Sequence, residues 1–224
     1  MMFLFILIFV ASMGVSWMLR SKMEKYSKTA LQSNVSGKEV AESMLRDNGI
    51  FDVRVISVDG QLTDHYNPGD KTVNLSNEVY HGRNAAAVAV AAHEVGHAVQ
   101  HAEAYSWLGF RSAMIPLLSF TNRFMSLIIL AGIFLLETTP IPLTIGVGMF
   151  AFTTVFSFVT LPVEFDASAR GLKYISSKGV VTSSEYALSK DALHWAAMTY
   201  VVAALSSLAT LLYYASLLSG RRND

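Results

Sequence analysis

Four long apolar segments dominate the sequence and limit what the chain can fold into. They cover residues 2–19, 112–136, 138–163 and 192–220. A helix needs roughly 17–25 mostly apolar residues to cross a bilayer, and all four segments are of that order. Charged residues make up only 15% of the 224 residues, against about 25% in average soluble proteins. The sequence therefore predicts an α-helical membrane protein with about four transmembrane helices.

Two of these segments require comment. Residues 2–19 contain no charge and lack the basic start of a secretory signal, so we expect a retained transmembrane anchor. The small residues "ASMG" at 11–14 keep signal cleavage as an alternative. The second segment contains Arg123, and a charge in mid-membrane is costly. We therefore expect Arg123 to lie near the membrane surface, with the "ETTPIP" loop at 137–142 ending the span.

Basic residues predict the orientation of the chain. The loop at 137–142 has no Lys or Arg, whereas the stretches that follow the first and third spans are basic. Because basic residues favour the cytoplasmic side, we expect residues 20–110 and 164–191 inside the cell, in a multi-pass protein of the plasma membrane. Arg221 and Arg222 would then lie outside, against the rule. The basic residues concerned are Arg20, Lys22, Lys25, Lys28, Arg170, Lys173, Lys178 and Lys190.

The polar stretch between the first two spans shows signals of a small folded unit. Ser36 and Glu39 have the spacing of a helix capping box, and Asn48-Gly49 is typical of a helix end. Two β-prone runs follow at 53–58 and 71–75, with the turn "NPGD" at 67–70. A long helix is predicted from about Asn84. Formal net charge is zero, so nothing indicates a nucleic-acid partner, and the absence of cysteine excludes thiolate metal ligands.

The stretch "HEVGH" at 93–97 lies within this long helix. Residues four apart share one helix face, so His93 and His97 can both bind one Zn²⁺ ion. Glu94 is rotated about 100° from His93 and is placed to act as general base on a zinc-bound water. Gly96 costs the helix about 1 kcal/mol relative to alanine, so we expect another element to pack closely against it.

The residues alone leave the third ligand open. His101 is two turns from His93, about 12 Å along the helix, which is too far for one ion. Glu103 has the spacing of the extended HExxHxxGxxH motif, but Gln100 stands where that motif needs glycine. His65 and His81 are expected to be solvated loop residues. Glu164 follows the third span and is expected to begin a new helix, either as the third ligand or as an ordinary acidic residue of the first turn.

Three motifs together carry a resemblance to a known family. "HEVGHAVQ", "HYNPGDKTVNLS" and "LPVEFDAS" resemble the YugP-type neutral zinc metallopeptidases of bacterial membranes, which look related to the HtpX-like membrane gluzincins. The resemblance covers nearly the whole chain. It implies a small α+β zincin-like domain with one Zn²⁺ per chain, bound by His93, His97 and Glu164, with Glu94 as base.

The resemblance leaves the support of the zinc histidines undecided. The related gluzincins carry Asp four residues after the glutamate ligand, whereas this chain has Ser168 there and Asp166 only two residues after it. The implied parts are an anchor at 1–19, a metallopeptidase core at 20–110, a transmembrane hairpin at 112–163, a segment at 164–191 that supplies the third ligand, and a last helix and tail at 192–224.

The sequence thus predicts a zinc-dependent endopeptidase at the cytoplasmic membrane face, acting on membrane or misfolded proteins. Tyr200 and, after it, His194 are candidates for stabilising the oxyanion, and residues 71–76 are expected to form an edge strand that pairs with substrate. Two alternatives remain. One is a protease that cuts inside the bilayer, and the other is a scaffold that uses zinc structurally.

Overall fold

The structure, a computed structural model, describes residues 2–220. Within that range the chain forms seven helices and a three-stranded sheet, so Arg221 and Arg222 lie outside the described residues. The elements are α1 Met2–Ser27, α2 Gly37–Asp47, β1 Arg54–Val58, β2 His65–Asn67, β3 Thr72–Ser76, α3 Asn77–His81, α4 Ala85–Ala102, α5 Ser106–Phe134, α6 Ile141–Ser177 and α7 Ser183–Gly220.

Four helices, α1, α5, α6 and α7, are long and apolar enough to cross a membrane, which confirms the predicted class. They extend well past the apolar segments. A helix of 37 residues such as α6 is about 55 Å long, against a hydrocarbon core of about 30 Å. The polar ends of these helices therefore continue into the polar unit.

The prediction that Glu164 begins a new helix is wrong. Helix α6 runs without a break from Ile141 to Ser177, and Pro162 lies inside it. Proline removes one backbone donor, and long apolar helices tolerate that loss where neighbouring helices pack against them. Glu164 therefore projects from the interior of a continuous helix, about 35 Å from its start at 1.5 Å per residue.

The predicted ends of α2 and α4 are confirmed. The Ser36 side chain accepts a hydrogen bond from the Glu39 backbone, and the Glu39 carboxylate accepts one from the Ser36 backbone. Gly49 follows the end of α2 with a φ of +70°, which glycine adopts without strain. At the start of α4, the Asn84 side chain accepts from the Ala87 backbone.

The sheet corrects one prediction. Its order is β1-β3-β2, with β1 parallel and β2 antiparallel to β3. The run at 71–76, expected at an edge, therefore forms the central strand, and all five residues of β3 are buried. The sequence did not predict β2, a three-residue strand that the turn at 67–70 connects to β3. Residues 72–74 of β3 are paired on both sides and are therefore not open to pair with a substrate.

Helix α4 lies at the centre of the polar unit. Its alanine-rich faces let α2 and the sheet pack on one side and α6 on another. The expected close contact at Gly96 is confirmed, because a Cβ there would lie 2.5 Å from the Ala167 carbonyl oxygen of α6. Gly171 of α6 meets the backbone of Ala92 in the same way. These paired glycines let the two helix backbones approach closely.

Candidate metal centre

Three side chains from α4 and α6 converge near the close contact between Gly96 and Ala167. His93 Nε2 lies 3.4 Å and His97 Nε2 3.6 Å from Glu164 Oε2, and the three donor atoms lie within 4.8 Å of one another. A tetrahedral zinc ion with bonds of about 2.0–2.2 Å keeps its donors roughly 3.3–3.6 Å apart. The two histidine–glutamate distances thus match zinc coordination.

The environment of Glu164 also fits a bound cation. Its Oε2 is buried and has no hydrogen-bond partner among residues 2–220, and a buried unpaired carboxylate oxygen is costly. The other oxygen, Oε1, accepts a hydrogen bond from Arg111 Nη1 at 3.2 Å. The pairing thus leaves Oε2 directed at the two imidazoles, where a metal ion would satisfy it.

Each imidazole is held through its second nitrogen. His93 Nδ1 lies 3.0 Å from Ser168 Oγ, and His97 Nδ1 lies 3.0 Å from Gln100 Oε1. Gln100 is fully buried and donates through Nε2 to Asp166 Oδ2 and to the Val163 carbonyl, both at 2.8 Å. An amide oxygen only accepts, so His97 carries its proton on Nδ1 and presents a lone pair at Nε2.

Ser168 and Asp166, between which the sequence did not decide, both support a histidine of this group. Ser168, four residues after Glu164, contacts His93 directly, whereas Asp166 reaches His97 through Gln100. Burial opposes a charge on His97, but the carboxylates of Glu164 and Glu94 raise its pKa above the ordinary value. The carboxylates around His97 thus favour positive charge at this position, which suits a cation.

Glu94 lies beside the metal-binding group and outside it. The backbone N–H of Tyr66 donates to Glu94 Oε2 at 3.0 Å, and Glu94 Oε1 lies 4.0 Å from His93 Nε2. The carboxylate is therefore fixed by β2 and directed toward the space next to the histidines. That position suits a group that exchanges protons with a metal-bound water.

The two candidates for stabilising the oxyanion, Tyr200 and His194, have different surroundings. Tyr200 lines both cavities that border the metal-binding group. His194 lines neither of them, and its ring contacts the neighbouring Trp195. Of the two oxyanion candidates, the structure thus brings only Tyr200 to the centre.

The four residues that the sequence analysis did not favour as third ligand have other surroundings. His101 Nδ1 is 2.8 Å from the Tyr66 hydroxyl, and Glu103 pairs with Arg170 at 2.5 Å. His65 and His81 are exposed as expected, although they lie in β2 and at the end of α3 rather than in loops. None of these four belongs to the group formed by His93, His97 and Glu164.

Sequence reasoning missed Gln100 and Arg111. Gln100 had a readable signal, because it stands three residues after His97 and therefore lies on the same helix face. In the sequence analysis above, Gln100 figures only as a mismatch to the HExxHxxGxxH motif. Arg111 had none, since a basic residue just before an apolar segment is typical of any membrane surface. Its pairing with Glu164 depends on how α5 packs against α6.

The chain thus combines four helices long and apolar enough to cross a membrane with a His–His–Glu group that could hold a metal ion. The chain belongs to the family described as "Putative neutral zinc metallopeptidase", whose model matches residues 1–219. It is 41% identical over 225 residues to "Putative membrane protease YugP" of Bacillus subtilis (strain 168), with 99% of both chains covered. No solved structure matches the chain.

Proposed function

We propose that this protein is a membrane-bound zinc endopeptidase that cleaves peptide bonds at the cytoplasmic face of the membrane. The observation that carries the proposal is the convergence of three donor atoms within 4.8 Å, with the Glu94 carboxylate held beside them. His93, His97 and Glu164 would hold the metal. Zinc in such a site polarises a bound water and lowers its pKa to about 7.

The side chains around the site divide the remaining work. Glu94 takes a proton from the attacking water and returns it to the departing amine nitrogen. Ser168 and Gln100 keep the imidazoles oriented through their Nδ1 atoms. Tyr200 is placed to donate a hydrogen bond to the oxygen of the peptide carbonyl as negative charge develops there.

The same geometry favours this proposal over both alternatives. A protease that cuts inside the bilayer requires its zinc motif to lie in a membrane-spanning helix. Helix α4, which carries the histidines, is not among the four membrane-spanning candidates in residues 2–220. A structural zinc site closes with a fourth protein ligand, whereas the group found in the described chain supplies three. Glu94 lies at the open side of this group.

The location proposed for the site follows from helix ends and basic residues. The C-terminal ends of α1 and α6 and the N-terminal ends of α5 and α7 all adjoin the polar unit. Lys22 of α1 and Arg170 of α6 lie at these ends. The positive-inside rule then favours a cytoplasmic site, with membrane or misfolded proteins as substrates.

The test compares purified variants in detergent. Glu94→Gln should keep about one zinc per chain and lose about 10²–10⁴-fold in cleavage of an unfolded protein, because the amide cannot take up a proton. Glu164→Ala should lose zinc to the same extent as His97→Ala. Glu42→Gln, which changes an exposed carboxylate on α2, is the matched control and should behave as wild type.

Two results would contradict the proposal. Cleavage by Glu94→Gln at the wild-type rate would remove Glu94 from the mechanism. Full zinc retention by Glu164→Ala would remove Glu164 from the ligand set.

A further inference from the structure

A cavity of about 120 Å³ opens directly beside the metal-binding group, between α1 and α7. Its wall includes His93 and Glu164 of the metal-binding group and the neighbouring Glu94. A substrate side chain in this cavity would therefore lie next to the bond that is hydrolysed. A second cavity of about 240 Å³ extends between β2 and α5 and shares part of its wall with the first, including His93, Glu94 and Glu164.

The part of the first cavity's wall that lies away from His93, Glu94 and Glu164 is mainly aliphatic. Its side chains come from three helices and from the connection between β1 and β2, and they include no basic residue. They are Leu19 and Met23 of α1, Val90 of α4, Leu193, Ala196 and Ala197 of α7, and Leu62 of the connection. The second cavity is different, because His65, His101 and Arg111 contribute to its wall.

The walls are held in place by a polar clamp at the membrane-facing end of the polar unit. Asp191 of α7 accepts a hydrogen bond from the Tyr26 hydroxyl at 2.5 Å and pairs with Lys22 Nζ at 2.9 Å. Both partners belong to α1 and flank Met23. The clamp thus fixes the position of α1 against α7, which makes the cavity a preformed feature of the fold.

The size and charge of the cavity restrict its occupant. An apolar cavity of about 150 Å³ accommodates benzene, so the space available suits a leucine or methionine side chain better than an indole. No Lys or Arg lines the cavity, so an acidic side chain would be buried there without a basic partner. An aliphatic side chain would bury its surface against Met23 and Leu193 without losing hydrogen bonds.

We infer that this α1–α7 cavity is a specificity pocket that binds an aliphatic side chain, such as leucine or methionine, on a residue adjacent to the scissile bond. The inference rests on the proposed function and deepens it, since it names the substrate side chain that the centre selects. It also gives α1 a role in substrate selection in addition to membrane anchoring.

Two variants change the cavity in opposite directions. Ala196→Leu fills it from α7, and Met23→Ala enlarges it from α1. Ala203→Leu adds the same side chain at an exposed position of α7 that lines neither cavity. It therefore serves as the matched control for Ala196→Leu.

The first measurement is cleavage of peptides that differ only at the residues flanking the scissile bond. One or more methylene groups in a fitted pocket change selectivity by about 10-fold or more. Wild type and Ala203→Leu should therefore prefer leucine to alanine by that factor in kcat/KM. Ala196→Leu should lose this preference, and Met23→Ala should gain activity on phenylalanine relative to wild type.

The second measurement is independent of turnover. Short peptide hydroxamates, with leucine or alanine beside the metal-chelating group, are titrated into the zinc-loaded protein by calorimetry. Wild type should bind the leucine compound about 10-fold more tightly than the alanine compound, and Ala196→Leu should bind both equally.

The outcomes separate the pocket from the proposed function. Two results together would overturn the pocket and leave the peptidase standing. Wild type and Ala196→Leu would cleave with the same side-chain preference, and wild type would bind the leucine and alanine hydroxamates equally. Selective hydroxamate binding without cleavage of any peptide would support the pocket and contradict the peptidase.

Discussion

Replacing Gln100 with leucine should weaken zinc binding while leaving the fold intact. Gln100 is fully buried, and its amide joins His97 to Asp166 and to the Val163 carbonyl. Leucine has a similar volume and no polar atoms. The substitution therefore removes all three hydrogen bonds without opening a large cavity.

The structure indicates which of these losses matters. Val163 lies within α6, so its carbonyl keeps its helical hydrogen bond. Asp166 keeps its ion pair with Arg170. Only the Nδ1–H of His97 is left buried and unpaired, at a cost of about 1–3 kcal/mol.

That cost is the expected loss in zinc affinity, because the imidazole is no longer held in the orientation that presents Nε2 to the metal. Loss of such outer hydrogen bonds typically weakens metal binding about 10–100-fold, or about 1.4–2.8 kcal/mol at 1.4 kcal/mol per factor of ten. The two estimates agree. We expect the zinc dissociation constant of Gln100→Leu to rise by this factor.

The assay is competition with a chelator of known zinc affinity, in detergent, with circular dichroism and gel filtration to verify folding. Gln32→Leu, which changes an exposed glutamine, is the matched control and should retain wild-type affinity. A dissociation constant for folded Gln100→Leu within about twofold of wild type would fall below the expected loss and refute the role of Gln100 in orienting His97.

Two further predictions concern packing and orientation. Gly96→Ala should lower the unfolding temperature in detergent, because its Cβ would lie 2.5 Å from the Ala167 carbonyl, whereas Gly148→Ala, with no atom within 4 Å of its Cβ, should not. An equal effect of the two substitutions would contradict the close α4–α6 contact. Since the chain has no native cysteine, Glu42→Cys should resist an impermeant thiol reagent in intact cells while Thr138→Cys is labelled. The reverse pattern would overturn the cytoplasmic orientation.

The sequence by itself determined the features that depend on neighbouring residues. Four apolar runs predicted four long helices, since only a helix satisfies its backbone hydrogen bonds within one segment in lipid. The capping residues Ser36 and Glu39 and the helix start at Asn84 were predictable because a cap satisfies backbone N–H groups within three residues of itself. The spacing of His93 and His97 placed both on one face, because helical geometry is fixed over four residues.

Gly96 shows how far such local reasoning reaches. A glycine inside a strongly helical run has an energetic cost that requires a packing reason. The sequence therefore predicted a close neighbour at the metal-binding face of α4, but it could not identify that neighbour as Ala167 on α6.

Only the tertiary structure decided which distant residues meet. Glu164 is 67 positions after His97, and their 3.6 Å approach depends on the crossing of α4 and α6. The same crossing places Ser168 on His93 and connects Asp166 to His97 through Gln100. No local pattern encodes these pairings, because they result from the packing of whole helix faces.

The position of β3 and the α1–α7 cavity were decided in the same way. A short β-prone run carries no information on how many neighbours will pair with it, so β3 could not be recognised as the central strand. The sequence assigns Leu19 to the anchor and Met23 to the polar unit, and only the packing of α7 brings both to one cavity. Sequence periodicity fixes the faces of each element, whereas contacts between elements depend on the sum of many weak interactions across the whole fold.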